Sequence, residues 1–178
     1  MEFARRCRAF GMDVFYHQRT RHTPDIEQSL EASYLALPDL LKKVDYLTLI
    51  IPHTPQTERM IGAPQFAAMK PGAIYLNSAR AKLHDTNALV AALESGHLGG
   101  AGLDHFEGEH LPPEHPLCAM ENVVLTPHIG GATYDTEARH SRLIADGLAE
   151  LFAGGYILEL ALSVDNLFIF ILVFAHFV

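Results

Sequence analysis

Short apolar runs alternate with helix-like segments along residues 1–153. Each run has the length of a β-strand and ends at polar residues, proline or glycine. We therefore predict five strands, at residues 13–17, 46–51, 73–78, 100–106 and 123–128. Several of these runs are apolar at consecutive positions, which is typical of strands buried on both faces.

Helical segments lie between the predicted strands. Pro64 and Asp85 occupy positions that favour the start of a helix, whereas Gly11 and Gly96 are typical helix stops. We predict helices at residues 2–10, 36–44, 64–69, 85–95 and 132–152, and a polar loop from 18 to 25. Buried strands separated by helices predict an α/β fold with a doubly wound, Rossmann-like parallel sheet.

The hydrophobic pattern changes abruptly at Gly154 and Gly155. Residues 156–178 are almost continuously apolar, and 23 such residues are enough to span a bilayer. We therefore predict two parts, a domain over residues 1–153 and an apolar helical tail over 154–178. Glu159 and Asp165 interrupt the tail, so a buried globular helix and a membrane-associated helix both stay open.

Composition narrows the range of partners. With 13 basic and 21 acidic residues the formal net charge is −8, which argues against nucleic acid as a partner. The two cysteines, Cys7 and Cys118, lie far apart, and no signal-peptide pattern opens the chain. We therefore expect a cytoplasmic domain without a metal centre, with membrane contact only through residues 156–178.

Polar residues follow the carboxyl end of each predicted strand. In open parallel sheets, ligands bind at this edge. The polar segments are residues 17–21, 52–57, 77–80, 104–109 and 128–131. The pattern predicts one site to which all five strand ends contribute.

Arg80, Glu109 and His128 form a chemically coherent set within these segments. An arginine can bind a carboxylate through two hydrogen bonds. A histidine can donate a proton to a carbonyl oxygen that receives a hydride, and a neighbouring carboxylate orients the imidazole and favours its protonated form. Any one of the three would more often be a solvated surface residue. Their occurrence together at successive strand ends favours the catalytic interpretation.

Two long segments carry a family resemblance. Residues 75–109 (YLNSARAKLHDTNALVAALESGHLGGAGLDHFEGE) and 115–133 (HPLCAMENVVLTPHIGGAT) resemble the NAD-binding domain of D-isomer-specific 2-hydroxyacid dehydrogenases. The resemblance extends over residues 3–153. It implies hydride transfer between a nicotinamide cofactor and a small 2-keto or 2-hydroxy acid of the glyoxylate or hydroxypyruvate type. Members dimerise through this domain, so a homodimer is implied as well.

The resemblance also assigns roles to individual positions. It implies that Arg80 binds substrate, that Glu109 pairs with the catalytic His128, and that Asp104 contacts the nicotinamide carboxamide. Gly130 and Gly131 would close over the cofactor. The remaining positions expected to line the cofactor, together with Arg80 and His128, are Ile51, Pro52, Thr57, Ser78 and Ala79.

The loop after the first predicted strand bears on the choice of cofactor. Members of the family that prefer NAD usually carry an aspartate here, which repels a 2′-phosphate. This chain instead has a basic loop that consists of His17, Gln18, Arg19, Thr20 and Arg21. The loop resembles that of the glyoxylate/hydroxypyruvate and 2-ketogluconate reductase branch, whose members favour NADPH. We expect NADP(H) as the preferred cofactor and NAD(H) as the alternative. A merely solvated basic loop is the competing interpretation.

The chain also departs from the family pattern. The family's glycine-rich GxGxxG turn, which holds the pyrophosphate, is not in this sequence. By comparison with the family, Met1 falls inside the helix that follows this turn. We therefore expect a truncated domain without the first strand and the substrate domain. Three departures are milder. Ala81 stands where the family usually has glycine, His84 where it has an apolar residue, and His110 where it has proline.

The tail resembles a different family. Residues 155–177, with the string ELALSVDNLF, resemble a transmembrane segment of TerC-type integral membrane proteins. One such helix cannot form a transport path, so we interpret the tail as the product of a fusion or assembly artefact. Two hypotheses follow for the whole chain. It is a 2-hydroxyacid dehydrogenase domain, or it is a non-catalytic fragment that associates with membranes through its tail.

Overall fold

The computed structural model describes the backbone of residues 1–162 and the side chains of residues 1–152. These residues form two compact units. The first unit is Met1–Gly130, and the second begins at Gly131.

The first unit is built from short strands and helices. Its strands are β1 Val14–Tyr16, β2 Ala32–Tyr34, β3 Tyr46–Leu49, β4 Ile74–Asn77, β5 Gly100–Leu103 and β6 Val123–Leu125. Its helices are α1 Glu2–Ala9, α2 Pro24–Leu30, α3 Leu37–Lys43, α4 Ala63–Ala68, α5 Thr86–Glu94 and α6 Pro116–Ala119. A single 3₁₀ turn, Ala81–Leu83, follows β4.

All of the strand pairs in this unit are parallel, so the predicted α/β class is confirmed. The strands are divided between a two-stranded sheet, β1-β2, and a four-stranded sheet in the order β3-β4-β5-β6. In the larger sheet Leu49 is in register with Asn77, and Asn77 with Leu103. The last residues of β3, β4 and β5 therefore form one row, which is where the sequence places the candidate site.

The apolar strands form the core of the first unit. Leu47, Leu49, Tyr75 and Leu103 are buried in the larger sheet, and α5 contributes Leu89 to the same cluster. Burying a side chain of this size contributes about 1.5–3 kcal/mol. This burial explains why the strands read as nearly continuous apolar runs in the sequence.

The predicted helix signals are confirmed at several positions. The Asp85 carboxylate accepts a hydrogen bond of 3.0 Å from the Ala88 backbone N–H at the start of α5. Gly96, just after α5, has a φ of 71°, a left-handed conformation that glycine adopts without strain. Pro64 lies in the first turn of α4, as predicted.

Besides the 3₁₀ turn, three elements were not predicted, namely α2, β2 and α6. Helix α2 begins at Pro24, inside the polar loop predicted for residues 18–25, and β2 lies in the stretch after that loop. Helix α2 has seven residues and buries only Leu30, and β2 has three residues. Neither is long enough to produce a hydrophobic period that can be detected in a sequence.

The predicted strands extend beyond the observed ones. Strand β3 ends at Leu49, not at Ile51, and β5 ends at Leu103, not at Phe106. The apolar run continues past each strand because Ile51 and Phe106 are partly buried against the same core after they leave the sheet. These residues therefore lie in loops at the carboxyl edge.

Helix α7, Tyr134–Leu162, is the element of the second unit within the described residues. The Thr133 hydroxyl accepts a hydrogen bond of 3.1 Å from the Thr136 backbone N–H at its start. The helix is longer than predicted and continues through Gly154 and Gly155. Glycine costs only about 1 kcal/mol inside a helix, so two glycines among good helix formers do not end it. The part boundary at this glycine pair stays a prediction.

Most of the predicted apolar tail lies outside the described residues. The backbone is described only to Leu162 and the side chains only to Phe152, so the TerC-like segment is not described. Within the part of the chain that is described, no helix is both long enough and apolar enough to cross a membrane.

Candidate active site

A cleft of about 640 Å³ lies at the carboxyl ends of β3, β4 and β5. This volume is within the range of small-molecule sites. Six of the predicted site residues line it, namely Ile51, Pro52, Ser78, Ala79, Arg80 and Glu109. The other lining residues include His53, Ala81, His105 and Phe106.

Asn77, the last residue of β4, organises the turn that carries Arg80. Its side-chain Nδ2 donates to the Arg80 carbonyl at 2.9 Å, and its Oδ1 accepts from the Ala79 N–H at 3.0 Å. The same amide nitrogen donates to Nδ1 of the buried His84 at 2.9 Å. Burial lowers the pKa of His84 to about 4, so its imidazole is neutral at physiological pH and can accept this bond.

The Arg80 guanidinium is held on one side only. Its Nη1 donates to the Ala79 carbonyl at 2.6 Å and to Nε2 of His105 at 3.2 Å. Among the described residues no hydrogen bond involves its Nε or Nη2. The Nε–Nη2 edge can therefore accept a carboxylate through two parallel hydrogen bonds.

Glu109 and His128 form the pair that the sequence suggests. His128 Nδ1 lies 3.0 Å from Glu109 Oε2. The hydrogen bond from His128 holds the pKa of the Glu109 carboxyl below its usual range, although burial acts in the opposite direction. The two side chains are 47% and 60% exposed, so this pair can be reached by a ligand from solvent.

Both members of this pair have a left-handed backbone. Glu109 has a φ of 63° and His128 a φ of 54°. Non-glycine residues rarely adopt such values, and strained positions cluster at functional sites. Glycine at Gly108, with a φ of 77°, makes the turn before Glu109.

The Asp104 carboxylate stabilises the loop that carries His128 through hydrogen bonds. Its Oδ1 accepts from the Thr126 hydroxyl at 2.6 Å and from the Ile129 N–H at 2.9 Å, and its Oδ2 accepts from the Gly130 N–H at 2.9 Å. Burial alone would raise the pKa of Asp104, which is only 6% exposed, but these three hydrogen bonds lower it. The His128 N–H also donates to the Asp104 carbonyl at 2.9 Å. The predicted contact between Asp104 and a nicotinamide stays a prediction.

His105 lies between the two functional groups. Its ring accepts from Arg80 and contacts the His128 ring with a centroid separation of 3.7 Å. It is 4% exposed. Burial lowers its pKa, and the positive charges of His128 and Arg80 lower it further.

Other predicted cofactor residues lie near the cleft or support it. Thr57 does not line the cleft, and its hydroxyl donates to the Pro52 carbonyl at 2.9 Å and accepts from the Thr54 N–H at 2.8 Å. It therefore fixes the turn that follows β3. Gly130 is held by Asp104, and a Cβ at this position would lie 2.9 Å from the Asp104 Oδ2. Gly131 belongs to the second unit.

The basic loop after β1 is not part of this cleft, because none of its five residues lines it. Strand β1, which precedes this loop, belongs to the separate two-stranded sheet, and the expectation that all five strand ends contribute to one site stays a prediction. Arg21 forms two hydrogen bonds with Glu27, at 2.7 and 2.8 Å, which together with the Tyr16 hydroxyl lower the pKa of Glu27 to about 2. Within residues 1–152, Arg19 has no hydrogen-bonding partner.

The rest of the basic loop is held locally. His17 Nδ1 lies 3.0 Å from the Leu35 carbonyl, and its ring packs near Tyr34. The Gln18 amide donates to the Thr20 carbonyl at 2.6 Å. Arg19 and Thr20 are exposed, so they are the groups of this loop that are free to meet a ligand.

The individual roles of Asn77 and His105 were not predicted, although both residues lie in the polar segments that the sequence places at the site. Both lie inside segments that carried the resemblance, but neither was given a role. The available signal was a polar side chain at the end of an apolar strand, since Asn77 ends AIYLN and His105 follows GAGLD. Asn77 and His105 are both almost completely buried, and buried polar side chains are the informative exceptions in a core.

Comparison with known proteins identifies the family. The profile described as "D-isomer specific 2-hydroxyacid dehydrogenase, NAD binding domain" matches residues 1–130. The chain belongs to this family. Members are NAD(P)-dependent oxidoreductases that act on CH–OH groups, so the first unit is an NAD-binding domain.

Curated relatives refine the comparison. The chain is 43% identical over 145 residues to glyoxylate/hydroxypyruvate reductase B from Citrobacter koseri, which covers 82% of this chain and 44% of the relative. It is 46% identical over 145 residues to a glyoxylate reductase from Thermococcus onnurineus, covering 82% of this chain and 43% of the relative. The NAD-binding domain described here thus spans less than half the length of these relatives.

Solved structures agree with this assignment. The NAD complex of a D-isomer specific 2-hydroxyacid dehydrogenase from Lactobacillus delbrueckii ssp. bulgaricus matches with a TM-score of 0.78 and 33% identity, over 85% of this chain and 49% of that one. A glyoxylate reductase from Paecilomyes thermophila matches with a TM-score of 0.75 and 38% identity, over 83% and 44%. The parallel fold of this NAD-binding domain is therefore that of dehydrogenases in this family.

Proposed function

We propose that this chain supplies the cofactor-binding and acid–base groups for reduction of a small 2-keto acid such as glyoxylate or hydroxypyruvate. The observation that carries the proposal is the Glu109–His128 pair, with a separation of 3.0 Å, next to the cleft that contains Arg80. The arrangement combines a carboxylate-binding cation with a proton donor. A 2-keto acid offers both a carboxylate and an adjacent carbonyl.

Arg80 binds the substrate carboxylate in this mechanism. Its Nη1 is engaged by Ala79 and His105, which leaves the Nε–Nη2 edge for the ligand. A bidentate ion pair of this kind fixes both the position and the plane of the carboxylate. Arg80 also withdraws electron density from the adjacent carbonyl and favours attack at its carbon.

His128 acts as the general acid. With Nδ1 bound to the Glu109 carboxylate, Nε2 carries the proton that is donated to the carbonyl oxygen. In the reverse direction the same nitrogen accepts the hydroxyl proton. Glu109 keeps the imidazole oriented and compensates its positive charge.

The cleft suits the nicotinamide portion of the cofactor. Ile51, Pro52 and Ala79 provide an apolar wall. The buried ring nitrogen His105 Nδ1 has no hydrogen-bond partner within the described residues, whereas His53 Nε2 lies 3.7 Å from Glu58 Oε2. Unpaired buried polar atoms of this kind are expected where a ligand completes the site. When bound, the nicotinamide supplies the hydride that reduces the carbonyl carbon.

The proposed cofactor is NADP(H) in preference to NAD(H). Arg19 and Thr20 are exposed after β1, and no acidic residue occurs between His17 and Arg21. A cation and a hydroxyl that have no other partner among residues 1–152 are suitable for a 2′-phosphate. Arg21 contributes less than the sequence alone suggests, because Glu27 already binds its guanidinium.

A second candidate function is cofactor binding without turnover. It is favoured by the 60% exposure of Glu109 and the 47% exposure of His128, because hydride transfer requires a site from which water is excluded. Both candidate functions predict that NADPH binds, and only the first predicts that a 2-keto acid is reduced. Titration of NADPH fluorescence measures binding, and loss of NADPH absorbance with glyoxylate measures turnover.

The test uses the native protein and its Arg80→Ala variant. The proposal predicts that the native protein reduces glyoxylate. It also predicts that Arg80→Ala raises the KM for glyoxylate at least about tenfold, because the variant loses a charge-assisted bidentate contact. Tight NADPH binding without reduction of any 2-keto acid supports the second candidate and overturns the first. Lys82→Ala is the matched control, since Lys82 also lines the cleft but has no proposed role.

A further inference from the structure

His105 is a buried titratable group of the cleft that takes no part in proton transfer in the proposed mechanism. It is 4% exposed, and its Nδ1 has no hydrogen-bond partner within the described residues. The carboxylate oxygen Asp104 Oδ2 is 4.0 Å from this nitrogen. An unpaired buried polar atom costs about 1–3 kcal/mol. Stability therefore does not account for a histidine at this position.

The contacts of the other ring nitrogen define the protonation state of His105. Arg80 has only donors, so Nε2 of His105 must accept the hydrogen bond of 3.2 Å from Nη1. A ring whose Nε2 accepts is either neutral with its proton on Nδ1 or fully deprotonated, and only the former occurs in water. The charged and titratable groups around the ring are Arg80, His128, Asp104 and Glu109. Burial and the two cations lower the pKa of His105, which agrees with a neutral ring.

The same ring also supports His128. The two ring centroids are 3.7 Å apart and their planes are inclined by 52°. His128 is otherwise held by its hydrogen bond to Glu109 at one edge. A rigid, buried neighbour against the ring restricts rotation of the imidazole about its Cα–Cβ and Cβ–Cγ bonds.

We infer that His105 is a positioning residue of this site: as a neutral imidazole it accepts a hydrogen bond from Arg80 and packs against His128, and so fixes the carboxylate-binding group relative to the proton donor. The inference rests on the proposed function, because the relevance of that alignment depends on a 2-keto acid as the ligand. It does not extend to a metal. Within the described residues no group of three histidine, cysteine or acidic side chains could hold a metal ion.

The alignment has a direct consequence for substrate binding. When His105 and Ala79 both accept from Nη1, the guanidinium plane is fixed and its Nε–Nη2 edge is presented in one direction. Without the acceptor on His105, Arg80 can rotate, and ordering it on binding then costs conformational entropy. Removal of the acceptor should therefore weaken binding of a 2-keto acid analogue even though Arg80 itself is unchanged.

The test compares two substitutions by their affinity for oxalate, measured by calorimetry in the native protein with NADPH bound. His105→Phe keeps an aromatic ring against His128 but removes the acceptor. His105→Gln restores an acceptor at the distance of Nε2. We expect His105→Phe to weaken oxalate binding about tenfold, which corresponds to one hydrogen bond of typical net strength. His105→Gln should remain within about threefold of the wild type.

The possible failures are distinguishable. If the wild-type protein does not bind oxalate, the proposed function is contradicted. If the wild type binds oxalate and His105→Phe binds it equally well, the inference about His105 is contradicted and the proposed function stands. A purely structural role would lower the melting temperature of His105→Phe and leave the oxalate affinity of the folded protein unchanged.

A second measurement does not depend on the folding of any variant. ¹⁵N NMR of the imidazole nitrogens in the wild-type protein at neutral pH distinguishes the two neutral tautomers of His105. A proton on Nδ1 and a bare Nε2 agree with the inference. A proton on Nε2, or a doubly protonated ring, overturns it because neither form can accept from Arg80.

Discussion

Nδ1 of His128 and Oε2 of Glu109 are 3.0 Å apart, and both residues reach this position through left-handed backbone conformations. Neither residue is glycine, so this geometry is maintained against local strain. The Asp104 carboxylate holds the loop on the His128 side. Two separate loops are thus constrained to bring one carboxylate and one imidazole into contact.

The first prediction concerns Glu109→Gln. The carboxylate favours the protonated imidazole, and a neutral amide does not, so the alkaline limb of the pH–rate profile for 2-keto acid reduction should move to lower pH. In the structure the hydrogen bond from His128 lowers the pKa of Glu109. The measurement is kcat/KM for glyoxylate as a function of pH. An alkaline limb at the wild-type position would show that Glu109 does not act on His128.

The second prediction concerns Asp104→Asn. One carboxylate oxygen becomes an NH₂ group that faces backbone N–H donors of the His128 loop. The free energy of unfolding should fall by about 1–3 kcal/mol, the usual cost of unsatisfied buried hydrogen bonds. Urea denaturation measures this change. The control is Asp45→Asn, which removes an exposed ion pair with Lys70 and should cost less than about 1 kcal/mol.

The third prediction concerns the pH dependence of stability. His84 has a pKa of about 4 in the folded protein and an ordinary value of 6.5 when exposed. Between these values the unfolded chain binds a proton that the folded chain does not, so stability is lost as the pH falls from about 6.5 to about 4. The contribution is on the order of 3 kcal/mol. His84→Val should remove this part of the slope.

Denaturation at a series of pH values tests the His84 prediction. A slope in His84→Val equal to that of the wild type would contradict it. His110→Val serves as the matched control. His110 is exposed, so its replacement should leave the pH dependence close to that of the wild type.

The fourth prediction concerns the cofactor. Arg19 is exposed and has no partner within residues 1–152, whereas Arg21 is bound by Glu27. In the native protein, Arg19→Ala should lower kcat/KM for NADPH about tenfold, the value of one charge-assisted contact, and change that for NADH little. Gln18→Asp should shift the ratio further toward NADH by repulsion of the 2′-phosphate. A wild-type preference for NADH would contradict the assignment.

Much of the fold can be predicted from the sequence, because apolar runs and helix-end residues are signals that depend on neighbouring positions in the chain. The pattern of apolar runs predicts five of the six strands of the first unit, and Asp85, Pro64 and Gly96 mark helix ends that the structure confirms. The division into two sheets does not follow from the pattern. An apolar run is compatible with either sheet, because partner choice depends on contacts that are distant in sequence.

Part of the candidate site can also be predicted from the sequence. The carboxyl-edge rule correctly places Arg80 and Glu109 around one cleft, since their strands are neighbours in one sheet. The loop of Arg19 does not line this cleft, and its strand β1 lies in the other sheet. The role of His105 depends on two distances, 3.2 Å to Arg80 and 3.7 Å to the His128 ring, and neither has a counterpart in sequence spacing.

The central claim is that His128 protonates a carbonyl at this cleft, and the most direct test is kcat for glyoxylate reduction by His128→Gln in the native protein. The account predicts a fall in kcat of at least about 100-fold, typical of the loss of a general acid, with the Kd for NADPH within about twofold of the wild type. His97→Gln is the control, since His97 precedes β5 at the opposite edge of the sheet. Wild-type kcat in His128→Gln would contradict the account.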